Sequence, residues 1–207
     1  MHQPAKQGLI KEADGSDWQL GDVYHCNIVC RDNAGKYHML YRYLWWDPEL
    51  EKDPAIGIDK AHWQRQSIGY ATSDDGIHWH KPNLGLIEAP TKFKKQDTFP
   101  FDVPDGISKN NNFGVPIDFI CDLHAHGNIT DPDKRFLLRY ARHDGTSKFA
   151  KVVELQMYYA ADWPDFVNDP NWRDKLTPIP GATLSPRGFR NIAGYDTAAK
   201  EWFAIHQ

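Results

Sequence analysis

The octapeptide Thr72-Ser73-Asp74-Asp75-Gly76-Ile77-His78-Trp79 constrains the fold more than any other stretch of the chain. It follows a strand-like run, residues 66–73, and sets Ser, two Asp and Gly ahead of a Trp. Ser and Asp side chains accept backbone N–H groups in tight turns, and glycine supplies the positive φ such turns need. A Trp just beyond the turn must cover an apolar surface. The octapeptide therefore predicts a sharp corner with Trp79 returning onto a sheet. It assigns Asp74 and Asp75 to folding rather than to chemistry.

The surrounding sequence is strand-like as well. Residues 23–30 read as a buried strand, and residues 36–43 alternate Tyr37, Met39, Tyr41, Tyr43 against His38, Leu40, Arg42. The link Arg31-Asp32-Asn33-Ala34-Gly35 between them reads as a hairpin turn. Further strands are expected at 115–122, 135–141, 152–161, 189–195 and 202–206. Helix is scarce: 48–61 holds a turn or two, interrupted by Pro54 and Gly57. Three long connections remain: 45–65 with Trp45, Trp46 and Trp63; 89–112, ending in Asn110-Asn111-Asn112; and 162–187 with Trp163, Trp172 and five prolines. Connections of this length are functional or disordered, and their tryptophans favour the first.

Composition narrows the function classes. With 41% apolar and 25% charged residues the chain is an ordinary globular one, not a disordered tail. Lys and Arg total 24 against 28 Asp and Glu, a net charge of −4, so neither nucleic acid nor an anionic membrane is an expected partner. No apolar run reaches the ~20 residues of a membrane span, and Met1 to Glu12 lacks a secretory apolar stretch. A cytoplasmic location is expected for the chain as written, or a secreted or periplasmic one if a leader precedes it. Three cysteines argue against a disulfide framework. Cys26 and Cys30 would lie roughly 13 Å apart along one strand, and Cys121 reads as a small buried hydrophobe. Asp122, His124 and His126 near Cys121 lack a fourth ligand at zinc-site spacing, so no metal and no cofactor is expected.

A coarse repeat is visible: two strands, a long loop and a third strand occur in 23–73 and again in 115–161, and 189–207 begins a third unit. Antiparallel four-strand units of this size have the sequence form of propeller blades. Tyr37-His38-Met39-Leu40-Tyr41-Arg42, followed by the run from Ser67 through Trp79-His80-Lys81-Pro82-Asn83-Leu84-Gly85-Leu86-Ile87-Glu88, resembles the first blade of five-bladed β-propeller glycoside hydrolases. The likeness is to a bacterial group related to the invertase, arabinanase and mannoside-phosphorylase families. Thr72 to Trp79 fits the Asp-box pattern of such propellers. Asn111-Asn112 fits an Asn pair before blade two, Asp131-Pro132-Asp133-Lys134-Arg135-Phe136 a blade-two segment, and Asn191 to Asp196 with Lys200 to Phe203 the hairpin opening blade three.

The resemblance implies an all-β fold of antiparallel propeller blades in one domain spanning 1–207: blade one over about 18–88, blade two over about 113–184, and the start of blade three at 185–207. It implies a carbohydrate-active enzyme that cleaves a glycosidic bond of an oligo- or polysaccharide with carboxylates in the propeller funnel. Asp22, just before the first strand, and Asp118, in the blade-two strand, are the catalytic candidates. Arg42, Trp45, Trp46 and Asn112 are the expected substrate contacts. Where related sequences carry an acid at the start of blade three, this chain has Arg187 and Arg190, which suit a carboxylated, sulfated or phosphorylated sugar. Two alternatives stay open: a non-catalytic carbohydrate-binding propeller or inactive remnant, and a sialidase-like hydrolase, which shares the Asp box.

Blades take about 40–60 residues each, so 207 residues hold three or four where the resembled fold uses five. The chain is therefore expected either to be the N-terminal portion of a longer enzyme or to self-associate through an open propeller edge.

Overall fold

The computed structural model describes residues 11–12, 28–46, 64–94, 103–125, 129–143, 152–184, 190–196 and 201–206. They are all-β, built of antiparallel sheets, with one two-residue parallel pairing and no α-helix among them. The chain divides into two compact units, Met1–Val115 and Pro116–Gln207.

In the first unit, β1 (Lys11–Glu12) pairs in parallel with β5 (His78–Trp79). Strands β2 (Ile28–Arg31), β3 (Tyr37–Trp46) and β4 (Gln64–Ser73) form an antiparallel sheet in sequence order. The β2–β3 hairpin lies where the Asp-Asn-Ala-Gly link predicts it. Asp32 closes it: its backbone N–H donates to Lys36 O at 3.0 Å, and its Oδ1 accepts from Lys36 N at 2.7 Å. Both faces of this sheet are buried. Met39, Tyr41 and Ala71 pack on one face with Trp79, Ala89 and Phe113. Cys30, His38, Leu40 and Tyr70 are buried on the other. Alternation alone predicts two such faces, but does not say that the polar His38 is buried with the second.

The Asp-box turn forms as its chemistry requires. Asp75 Oδ1 accepts from the backbone N–H groups of Ile77 and His78, both at 2.8 Å, and Ser73 Oγ accepts from Gly76 N at 2.8 Å. Gly76 has φ +77°, and Trp79 is 2% exposed in the core. The anchoring carboxylate is Asp75. Asp74 is exposed and only approaches Lys36, at 3.6 Å. The free edge of β4 is then covered by two returns of the chain: Thr72 and His80 exchange backbone hydrogen bonds, and Tyr70 N donates to Asn112 O at 3.0 Å.

The connection at 89–112, expected as a loop, contains a hairpin of β6 (Ala89–Lys94) and β7 (Val103–Ser108). Pro90, Pro104 and Gly106 conceal it from a propensity reading. Each strand of a two-stranded ribbon has one free edge, and proline is tolerated where its nitrogen faces that edge.

In the second unit, β8 (Ile117–Asp122), β9 (Phe136–His143), β10 (Val152–Ala160) and β11 (Thr177–Leu184) form a four-stranded antiparallel meander in sequence order. Strand β11 lies in the connection 162–187 and was hidden there by Pro178 and Pro180. It is an edge strand, with Pro178 opposite Tyr158, so the same rule applies. One face of the meander buries Leu123, Leu137 and Met157 with Phe119, Cys121 and Tyr159. The other is covered by the segment after β10, whose Trp163 and Trp172 are buried and packed edge-on against Phe136 and Tyr140. These two tryptophans are core residues of the unit. Strands β12 (Arg190–Asp196) and β13 (Glu201–His206) form the expected hairpin. The turn-like region 48–61 lies outside the described residues.

Candidate functional site

Asp22 and Arg187 lie outside the described residues. Arg42, Trp45 and Trp46 fall on the distal half of β3, opposite Ile68, Arg65 and Gln64 of β4. Arg190 is the first residue of β12 and pairs with His206.

Asp118 stands at a break in strand register, as Val153 of β10 and Ala193 of β12 also do. In the β8–β9 ladder Ile117 faces Tyr140 and Phe119 faces Arg139, so Asp118 is an extra residue with no partner across the ladder. It is the second residue of β8, which is an edge strand of the meander. Bulges of this kind concentrate at sheet edges and beside active sites, and they bend the strand that carries them.

Asn112 is buried, with its amide hydrogens spent inside the first unit. It donates to the Tyr41 hydroxyl and to Tyr70 O, the latter at 2.8 Å. Burial pushes the Tyr41 phenol well above its usual range, outweighing the Asn112 hydrogen bond that acts the other way. Tyr41 thus stays neutral at any ordinary pH. Asn111 braces the same corner, donating to Ile87 O at 2.8 Å and Ser108 O at 2.7 Å while its Oδ1 accepts from Phe113 N at 2.8 Å. The Asn pair acts as a bracket that holds the returning chain against β4.

A second polar group escaped the sequence reading. His38 Nδ1 lies 2.6 Å from the Tyr70 hydroxyl and its Nε2 lies 3.0 Å from Asp32 Oδ2. The three residues come from β3, β4 and the hairpin turn, 32 and 6 positions apart. The Asp32 carboxyl is pushed up by burial. The hydrogen bonds from His38 and the Lys36 amide outweigh this and hold it below the usual carboxylate value.

In the second unit Asp122 ends β8 and anchors the following turn. Its Oδ1 accepts from His124 N at 3.0 Å and its Oδ2 pairs with Arg135 Nη2 at 3.0 Å. His124 Nε2 lies 2.9 Å from Asp131 O. His124 therefore serves this turn, and His126 lies outside the described residues. Among the described residues, no three His, Cys, Asp or Glu side chains are grouped to hold a metal ion.

Two carboxylates are needed for glycosidic-bond chemistry. Of the two candidates only Asp118 falls on a described strand. Arg42, Trp45 and Trp46 share one strand end in the first unit, and Asp118 and Arg190 mark the opening segments of β8 and β12 in the second. No protein-family model matches the chain, and neither a curated protein nor a solved structure does.

Proposed function

We propose that the chain forms antiparallel blades of a β-propeller carbohydrate-active enzyme resembling glycoside hydrolases, with Asp118 as one reacting carboxyl group. The observation that carries this reading is the bulge at Asp118, on the second residue of the first strand of a four-stranded meander. Further support comes from the meander's simple strand order and the Asp75-anchored turn, both features of blades. In this reading one carboxyl group protonates the glycosidic oxygen and the other acts as base or nucleophile on the sugar. Asp22 is the sequence candidate for the second carboxyl group. Arg187 and Arg190 select anionic sugars, since a guanidinium fork matches carboxylate, sulfate or phosphate.

The test is a panel of neutral, uronic and sulfated oligosaccharides, read by reducing-sugar release with the wild-type chain, Asp118→Asn and Asp22→Asn. Each variant is checked for an unchanged unfolding midpoint. Hydrolysis that falls on the order of 10²–10⁴-fold in both variants supports the proposal. Binding without turnover, equal in wild type and Asp118→Asn, replaces it with a non-catalytic carbohydrate-binding role. Neither binding nor turnover across the panel overturns the carbohydrate reading altogether.

A further inference from the structure

We propose that Asp32, His38 and Tyr70 form a proton-sensing clamp across the first sheet, in which the charge on His38 sets the direction of the Tyr70 hydroxyl hydrogen bond. The chain of contacts runs from the β2–β3 turn through β3 to β4, at 3.0 Å and 2.6 Å. His38 is 6% exposed and Tyr70 3% exposed, so both lie in the buried face of the sheet. Their rings stack at 6.0 Å with planes 13° apart, which fixes the imidazole against the phenol.

The partners dictate the protons. An ionised carboxylate only accepts, so the Nε2 that faces Asp32 carries hydrogen. In neutral imidazole the other nitrogen is then an acceptor, and the Tyr70 O–H donates to Nδ1. When His38 gains a proton, Nδ1 becomes a donor. The Tyr70 oxygen must then accept, and its own hydrogen turns away. The carboxylate of Asp32 faces the imidazolium in that state and compensates its charge. Among the described residues the other titratable group facing the ring is Cys30, directly opposite on β2, while Thr72 opposite on β4 is uncharged. The cation of Arg31 lies instead over the Tyr37 ring, at 5.0 Å.

The backbone of Tyr70 is bonded to the Asn bracket as well: its N–H donates to Asn112 O and its carbonyl accepts from the Asn112 side chain.

Nitrogen-15 and carbon-13 NMR on the full chain tests this. At neutral pH the His38 ring is expected as the Nε2–H tautomer. As pH falls, the Tyr70 Cζ resonance is expected to follow the His38 titration with the same midpoint. In Asp32→Asn the His38 midpoint is expected to fall by about one pH unit or more. An Nδ1–H tautomer, a His38 that stays neutral from pH 9 to pH 4, or a Tyr70 resonance that stays flat while His38 titrates overturns the clamp. If Asp32→Asn does not fold, the wild-type tautomer and the paired Tyr70 titration still decide it.

Discussion

Gly69→Ala is the sharpest test of how the first unit is packed. A Cβ at this position would collide with Tyr41 Cζ and lie 2.6 Å from Cε2 and 2.8 Å from the hydroxyl oxygen. Ordinary carbon contacts are ~3.5–4.0 Å, so the ring would have to retreat by about 1 Å. Tyr41 has nowhere to go: it is 3% exposed, bonded by Asn112 and set edge-on against Phe113 at 6.3 Å. Overpacking of this kind costs about 1–3 kcal/mol, and displacing the hydroxyl from Asn112 adds about 1 kcal/mol. The lower unfolded-state entropy of alanine returns about 0.4–1 kcal/mol. The net loss expected is about 1–3.5 kcal/mol. It is read from amide hydrogen exchange in β3 and β4 over a urea series, because two units need not unfold in one step. The same substitution in a Tyr41→Leu background, where the outer ring atoms are gone, should cost under ~1 kcal/mol. A wild-type cost below ~0.5 kcal/mol, or an equal cost in both backgrounds, refutes the reasoning.

Three further outcomes are expected. Asp75→Ala lowers the urea midpoint of the first unit and Asp74→Ala leaves it unchanged, because Asp75, not Asp74, accepts the amides of Ile77 and His78; equal effects would mean that Asp74 shares the anchoring. Lys81, whose ammonium is pushed down to about 8 by burial, binds fewer protons folded than unfolded between about pH 8 and its ordinary value of 10.5. The first unit should therefore gain stability as pH rises through that window, and Lys81→Met should remove the gain. In the second unit, Trp172→Ala should cost about 3–5 kcal/mol, and exchange protection in β9 should fall with it, since Trp172 packs on Tyr140; a loss below ~1 kcal/mol would mean the tryptophan is not core.

The fold was legible where local chemistry and global packing agree. The Ser-Asp-Asp-Gly turn, the Trp return and the β2–β3 hairpin each follow from residues within a few positions of one another, and each is where the sequence places it. Strands β6, β7 and β11 were not legible, because their prolines and glycines argue against strand in a central position and say nothing about an edge. Whether a strand is an edge is a property of the sheet, not of the segment. The tryptophans at 163 and 172 misled for a related reason: aromatic residues in a long connection suit a binding loop and a covering layer equally. Only the buried contacts with Phe136 and Tyr140 separate the two.

The site divides along the same line. His38 alternates with core residues in a strand that looks half polar, and nothing near it in sequence announces Tyr70, 32 positions on. The clamp exists only because the β3–β4 register sets Leu40 opposite Tyr70 and so brings the phenol diagonally onto His38. Asp118 could be singled out by its likeness to a family position, but the bulge on which it stands comes from the pairing of β8 with β9, which no run of residues encodes alone. Deleting residue 118 removes the bulge and the carboxylate together, so it is read beside Asp118→Asn, which keeps the bulge. Removing one residue at 118 restores a regular ladder from Ile117 to Phe119 while shifting the preceding chain by one position. If the bulge serves only the sheet's twist, the four-stranded meander should survive with unchanged exchange protection. If it also serves the glycosidic chemistry proposed here, turnover should fall below that of Asp118→Asn while the meander's amides stay protected, and loss of turnover and protection together would show that the bulge belongs to folding rather than to catalysis.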